Sequence, residues 1–362
     1  MTREVKAIRL PVHRGPAAWN AILGAQPDPV PIETDRTADV VIIGGGFAGL
    51  SAARRLLQID PTLDVVLLEA GQLAESSAGR NSGFMIDLPH ELTSDDYAGA
   101  GDDQALINLN RQSIAFGREA VAEYGIKPDY FDECGKVNGA ASAAGDHHNK
   151  SYAKHLAGLG EPCELLDGQG MRDLTGSPHH TSGLYTPGTV ILQPAGYIRG
   201  LGRGLGGKIA LHENSAVRGF QRVGSDWIVE TANAKITTPK IILANNGHME
   251  SFGYKTGRLM HVMLFASMSP ELTGDQLRLL GGASRWGVTP YDPMGTTMRR
   301  INTGQGGNRI ITRTCAMFRP NMEASDRSIH RAAGVQQRKF DQRFPQLAGL
   351  KAEYSWAGHL CL

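Results

Sequence analysis

The chain alternates short β-branched runs with amphipathic stretches, and one early unit sets the reading. "VVII", residues 40 to 43, is a continuous apolar run bounded by turn residues, the pattern of a buried parallel strand. "GLSAARRLLQI" follows, with Leu50, Ala53 and Leu57 on one helical face, and "DVVLLEA" supplies a second strand. Farther on, "DQALINLNRQSIAFGREAVAEYG" has helical spacing and stops at Gly125, and "DHHNKSYAKHLAGLG" reads as a helix stopping at Gly160. "YFDECGKVNGAAS" reads as a strand region, and "SGLYTPGTVILQPAGYI" as one strand leading into a helix. "RLMHVMLFASMS" nearly alternates, and "GTTMRRINTGQGGNRIITRTCAMF" reads as a hairpin through a glycine-rich loop. The first 35 or so residues carry Pro11, Pro16, Pro27, Pro29 and Pro31 and read as an arm over the surface.

Composition narrows this only a little. At 362 residues the chain exceeds the size at which one core keeps growing, so two intertwined domains are expected. A net charge of +1 gives no electrostatic case for a nucleic-acid partner or an anionic membrane. No apolar run reaches membrane-spanning length. The four cysteines are scattered without a C-x-x-C pair, which points away from a zinc site or disulfide framework and toward a reducing, cytoplasmic compartment. His147, His148 and His155 offer no metal set, because adjacent histidines on a helix point to different sides and no carboxylate or cysteine stands at ligand spacing.

The candidate chemistry lies in the turn of the first unit. Gly44, Gly46 and Gly49 form G-x-G-x-x-G directly after the strand, with Phe47 and Ala48 opening the helix. The glycines give a tight turn, close approach to a pyrophosphate, and helix–strand contact, while the helix start offers free N–H groups to phosphates. Glu69, followed by Ala70, ends the second strand where a carboxylate can accept from ribose hydroxyls. The motif by itself leaves NAD and FAD open. A second match at Gly202, Gly204 and Gly207 follows no strand and precedes no helix, so it reads as a helix end and turn.

Just after the second strand stands "SSAGRNSGFM", Ser76 to Met85. With the opening motif this resembles the D-amino-acid oxidase, glycine oxidase and sarcosine oxidase superfamily, nearest its bacterial branch containing γ-glutamylputrescine oxidoreductases. The resemblance implies an α/β fold, with a Rossmann-like FAD-binding domain and an inserted antiparallel-sheet substrate domain. It places Arg80, Asn81, Ser82 and Gly83 beside the flavin. "LHENSAVRGF" and "WIVETANAKITTPKIILANNGH" are similar to the family's adenine-side hairpin and return strand, which implies Val217 near the adenine and Asn245 and Gly247 at the sheet's ligand edge. The implied organisation is an arm over 1–35, a discontinuous FAD domain over 36–88 and 146–250, and a substrate domain over 89–145 and 251–362, joined by a strand at 183–193.

The implied activity is oxidation of a C–N bond in an amine or amino acid by hydride transfer to FAD, giving an imine that hydrolyses. Oxygen or an electron carrier would then accept the electrons. The FAD is expected to be non-covalent, because "SSAGRNSG" holds no His or Cys. Arg299, Arg300 and His359 are candidate substrate anchors; strand parity lets only one of the two arginines face a cavity, and His359 holds an anion only when protonated. Tyr254 and His261 are possible wall residues. "SWAGHLCL" is similar to a W-A-G segment that carries a carboxylate-gripping arginine in glycine oxidases; here His359 follows instead, which leans toward a larger or conjugated amine. The sequence ends at Leu362 inside an apparent strand, whereas such relatives continue with a glycine-rich return segment that completes the nucleotide sheet. An open site, weak FAD binding and slow turnover are the corresponding expectations. The competing readings are a non-catalytic flavin-fold protein and an NAD-linked dehydrogenase.

Overall fold

The computed structural model describes residues 4–89, 101–292 and 295–362. The remainder of the expected segments 1–35, 89–145 and 251–362, namely 1–3, 90–100 and 293–294, lies outside the described residues.

A four-stranded parallel sheet runs in the order Ala210–His212, Val65–Leu68, Val40–Ile43, Ile241–Leu243. All four residues of Val40–Ile43 are buried, as a strand covered on both faces requires. The helix Phe47–Ile59 covers one face, and its buried positions include Gly49, Leu50 and Ala53. Ile241 pairs with Val41, so "KIILANNGH" does return into this sheet. Between them a five-stranded sheet holds the hairpin Gly219–Val223 and Asp226–Glu230.

The second large layer is an eight-stranded sheet, mostly antiparallel. Its order is Tyr354–Cys361, His261–Met268, Arg309–Phe318, Thr297–Ile301, Trp286–Pro290, Lys136–Ala140, Ser182–Thr186, Glu164–Asp167. The architecture is the expected α/β combination of a parallel and an antiparallel sheet. The final strand pairs with His261–Met268 at the edge of this sheet, not with the nucleotide sheet.

Three sequence expectations need correction. Residues 146–182 fall on the eight-stranded sheet side, since the helix Ala143–Gly158 packs on its strands and Glu164–Asp167 pairs within it, whereas Ser182–Thr186 joins that sheet as expected of the strand at 183–193. The segment read as one strand over 183–193 is two: Ser182–Thr186 in the eight-stranded sheet, and Val190–Leu192 in a separate three-stranded sheet with Phe84–Met85 and Phe131–Asp132. The turn at "TPGT" separates them. The N-terminal arm is more than a surface strap. Trp19 is 0% exposed in the core shared by both layers, and its indole N–H donates to the Asn81 carbonyl at 2.9 Å.

Candidate functional site

The site forms where the parallel strands end. Gly44 has φ +112°, and a Cβ there would lie 2.7 Å from the Ala244 carbonyl oxygen of the neighbouring strand. A Cβ on Gly49 would overlap the Gly44 carbonyl, so helix and strand cross at a distance only glycine permits. Gly46 caps the helix without a side-chain partner, leaving the first backbone N–H groups of Phe47 and Ala48 outside the helical ladder. On the adjacent strand end, Glu69 accepts from the Gly45 N–H at 2.7 Å and from the Gly71 N–H at 3.2 Å. Burial pushes its carboxyl pKa up, and the N–H groups of Gly45, Gly71 and Ala70 act against that rise.

A cavity of about 1220 Å³ opens along this edge, above the ~300–1,000 Å³ of ordinary small-molecule pockets. Following the sheet order, its wall passes from Val217 and Glu69 across Gly44 to Asn245. It also borders Gly46, Phe47, Ala48 and Ala70, then Asn81, Ser82 and Gly83. An apolar part is walled by Phe84, Met85, Leu109, Phe116, Leu192 and Tyr197. Among the described residues, three buried polar atoms on the wall have no partner: Asn245 Oδ1, His248 Nδ1 and Ser251 Oγ. Buried polar atoms rarely stay unpaired, so this wall is built for a polar ligand.

The loop after the second strand is held by its own side chains. Asn81 donates to the Ala78 carbonyl and accepts from the Gly83 N–H, both at 2.7 Å. Arg80 does not border the cavity, contrary to expectation. Its guanidinium donates to the carbonyls of Glu75 (2.6 Å), Gly15 (2.7 Å), Arg14 (3.2 Å) and Ala357 (3.3 Å), clasping loop, arm and final strand together. Burial lowers its pKa to about 10. Gly247 is likewise off the wall; a Cβ there would meet the His359 and His261 rings at 2.7 and 2.8 Å, so it seats those rings.

Neither candidate anchor arginine reaches the cavity lining. Arg299 is buried, donates to the Leu192 carbonyl at 2.7 Å and the Ser82 carbonyl at 2.8 Å, and lies 4.7 Å from the Trp19 ring centre. Arg300 turns the other way, as strand parity requires, and donates to the Gly281 carbonyl at 2.5 Å. His359 does border the cavity, but burial beside His248 and His261 lowers its pKa to about 4. A ring that is neutral near pH 7 does not hold a carboxylate by charge. Tyr254 stacks on Phe220 outside the wall, and His261 lies behind His359.

Sequence reading missed the part of the wall built by Arg9, Leu10, Pro11 and His13 of the arm, and by His248. It also missed the Leu109–Phe116 face of the helix Asp103–Tyr124. Leu109 is 60% exposed in the structure, and helical spacing alone does not tell it from a core position.

The family model DAO, FAD dependent oxidoreductase, matches residues 39–362. The chain belongs to the DAO family of FAD-dependent oxidoreductases. Among curated relatives, this DAO-family chain is 25% identical over 360 residues to the probable oxidoreductase OrdL of Rhizobium meliloti, covering 96% of the chain and 79% of that protein. It is 24% identical over 352 residues to the gamma-glutamylputrescine oxidoreductase of Escherichia coli, covering 90% and 74%. In fold it is similar to glycine oxidase from Geobacillus kaustophilus, with TM-score 0.71 at 16% identity over 90% of this chain and 83% of that one. L-Amino acid deaminase from Proteus myxofaciens gives TM-score 0.66 at 17% identity, covering 100% and 85%. The family's cofactor is FAD, and the cavity fits it: a glycine cradle at a helix start, an acid at the next strand end, and unpaired polar atoms along the wall. Among the described residues no helix is long and apolar enough to cross a membrane.

Proposed function

We propose that this chain oxidises the C–N bond of an extended amine, or of an amine conjugated to a larger group, with FAD held non-covalently along the glycine cradle. When bound, FAD would supply the two-electron acceptor, taking a hydride from the carbon beside nitrogen. Gly44, Gly46 and the N–H groups opening the helix would hold the pyrophosphate, with Glu69 and Val217 at the nucleoside end. Asn81, Ser82 and Gly83 would border the ring system. The chain's other contributions are orientation and restriction of water, which the apolar wall of Phe84, Met85, Leu109 and Phe116 provides.

The observation that carries the substrate class is the charge of the wall. Among the described residues, Arg9 is its single Lys or Arg, and Glu69, engaged by the glycine loop, its single acid. A short α-amino acid needs a cation beside the reacting carbon, and Arg299 and Arg300 are held elsewhere. An apolar wall with one cation on the arm suits a longer amine. Support also comes from the relatives, among which one is named for a glutamyl-conjugated diamine.

The test is an anaerobic flavin-bleaching screen on purified protein, after acid precipitation has shown that the flavin is released. Bleaching by long-chain or acyl-conjugated amines, and not by glycine, is the expected result. Bleaching by glycine alone would reverse the substrate class. No bleaching by any amine, or a nicotinamide in place of flavin, would remove the proposal.

A further inference from the structure

Behind the cavity wall stands a chain of groups that cofactor binding does not use. His359 borders the cavity; its Nε2 lies 3.1 Å from His261 Nδ1. His261 is 3% exposed and does not reach the cavity, and its Nε2 lies 2.7 Å from Glu250 Oε2. Glu250 is 17% exposed and is absent from the cavity wall, so it meets solvent on the far side. Its other oxygen accepts from the Gly257 N–H at 2.9 Å, which fixes the carboxylate's direction.

The hydrogen-bond inventory orients this chain. An ionised carboxylate only accepts, so Nε2 of His261 carries the hydrogen toward Glu250. In the uncharged ring Nδ1 is then a lone pair, and it accepts from Nε2–H of His359. That leaves Nδ1 as the unprotonated nitrogen of His359, a residue of the cavity wall. The surrounding titratable and charged groups are His13, His248 and Arg9 on the cavity wall, Arg80 behind it near His13, and Cys361 beside Glu250. No three His, Cys, Asp or Glu groups among the described residues converge as a metal site, so the row is not a collapsed ligand set.

We infer that Glu250, His261 and His359 form a proton relay from the cavity to solvent, with His359 as the cavity-side acceptor and the other two as positioning residues. The inference rests on the amine-oxidation reading. In that reaction a neutral amine loses a hydride from carbon to FAD, the family's oxidant. Its N–H bond then breaks, the N–H electron pair becomes the second bond of C=N, and one proton remains. His359 Nδ1 takes that proton as its Nε2 proton passes to His261 Nδ1. His261 in turn gives its Nε2 proton to Glu250, which loses it to water. Each ring gains one proton and gives one, and ring rotation returns it to its starting tautomer. Burial lowers the pKa of His359 to about 4, so the ring rests unprotonated near pH 7 and has to hand a proton on to His261 as it takes one up.

The experiment is side-chain ¹⁵N NMR of the holoenzyme, followed by proton release on anaerobic reduction read with an indicator dye. The expected spectrum places the hydrogen on Nε2 of both His261 and His359. His261→Gln should leave His359 as a mixture of tautomers, and Glu250→Gln, a change at the surface, should remove the bias at His261. With an amine that bleaches the flavin, Glu250→Gln should slow proton release about tenfold or more. Its flavin occupancy should be unchanged. A wild-type His359 protonated on Nδ1, or tautomers indifferent to Glu250→Gln, would overturn the relay. The expected tautomers in a protein whose flavin no amine bleaches would keep the coupled chain and remove the amine reading instead.

Discussion

Glu69 Oε2 accepts from the Gly45 N–H at 2.7 Å, so the acid ending the second strand holds the glycine turn ending the first. Its other oxygen accepts from Gly71. Glu69→Ala removes both charge-assisted bonds at once, each worth about 1.5–3 kcal/mol. FAD affinity should fall on the order of 10- to 100-fold as the turn loosens. Fluorescence titration of apo-protein with FAD measures this, and an unchanged dissociation constant would show that the turn holds its shape without the acid.

Gly46 and Gly49 should separate cofactor binding from folding. A Cβ on Gly46 would find only the Ala78 methyl, at 3.6 Å, and would project at the cavity wall. Gly46→Ala should therefore keep the Tm of the apo-protein and lose flavin. Gly49→Ala drives a methyl into the Gly44 carbonyl and should lower Tm and flavin occupancy together. Thermal melts of the two apo-variants decide this; equal losses would put Gly46 in the packing as well.

Arg299 ties the loop at Ser82 to the strand at Leu192, under Trp19. Arg299→Ala leaves the buried Leu192 carbonyl without this donor, at about 1–3 kcal/mol, and frees the part-buried Ser82 carbonyl. The expected result is a marked drop in Tm with reduced flavin retention. Arg300→Ala should leave KM unchanged for any amine that turns over. A selective rise in KM with unchanged Tm, in either variant, would restore an anchoring role.

Lys136 is fully buried, and its Nζ donates to Asn138 Oδ1 with no salt-bridge partner among the described residues. Burial lowers its pKa from 10.5 to about 7. Between those values the unfolded chain binds a proton that the native state lacks, so this group makes stability rise with pH, by at most about 1.4 kcal/mol per unit. The contribution is lost as pH falls toward 7. Lys136→Met should flatten the Tm difference between pH 7 and pH 9, and a slope identical to wild type would show that the lysine stays charged in the fold.

The β-α-β unit was legible because everything that specifies it is local: a buried run, glycines at fixed offsets, an amphipathic helix and an acid twenty residues on. The return strand and the Thr297–Phe318 hairpin were legible for the same reason. What escaped depends on distant partners. Arg80 and Arg299 looked like ligand groups because arginine donates in a planar fork, yet their acceptors are carbonyls of Ala357 and Leu192, far away in sequence. Trp19 sits in a proline-rich stretch with no periodicity, so nothing nearby announces that it fills the core. The "TPGT" turn was readable and would have divided 183–193 into its two strands.

The arm residues Arg9 to His13 border the cavity, yet the family match begins only at residue 39. Cradle and rim are thus written in separate stretches of chain. The glycine turn cannot drift without losing its strand crossing, while the rim hangs from a few short contacts such as the Glu4–Lys6 pairing and the Trp19 anchor. Exchanging residues 9–13 between relatives, with Trp19 and the carbonyls that Arg80 holds left in place, is therefore a route to new selectivity that leaves the redox half of the protein alone, much as changing a lock's faceplate leaves its bolt in place.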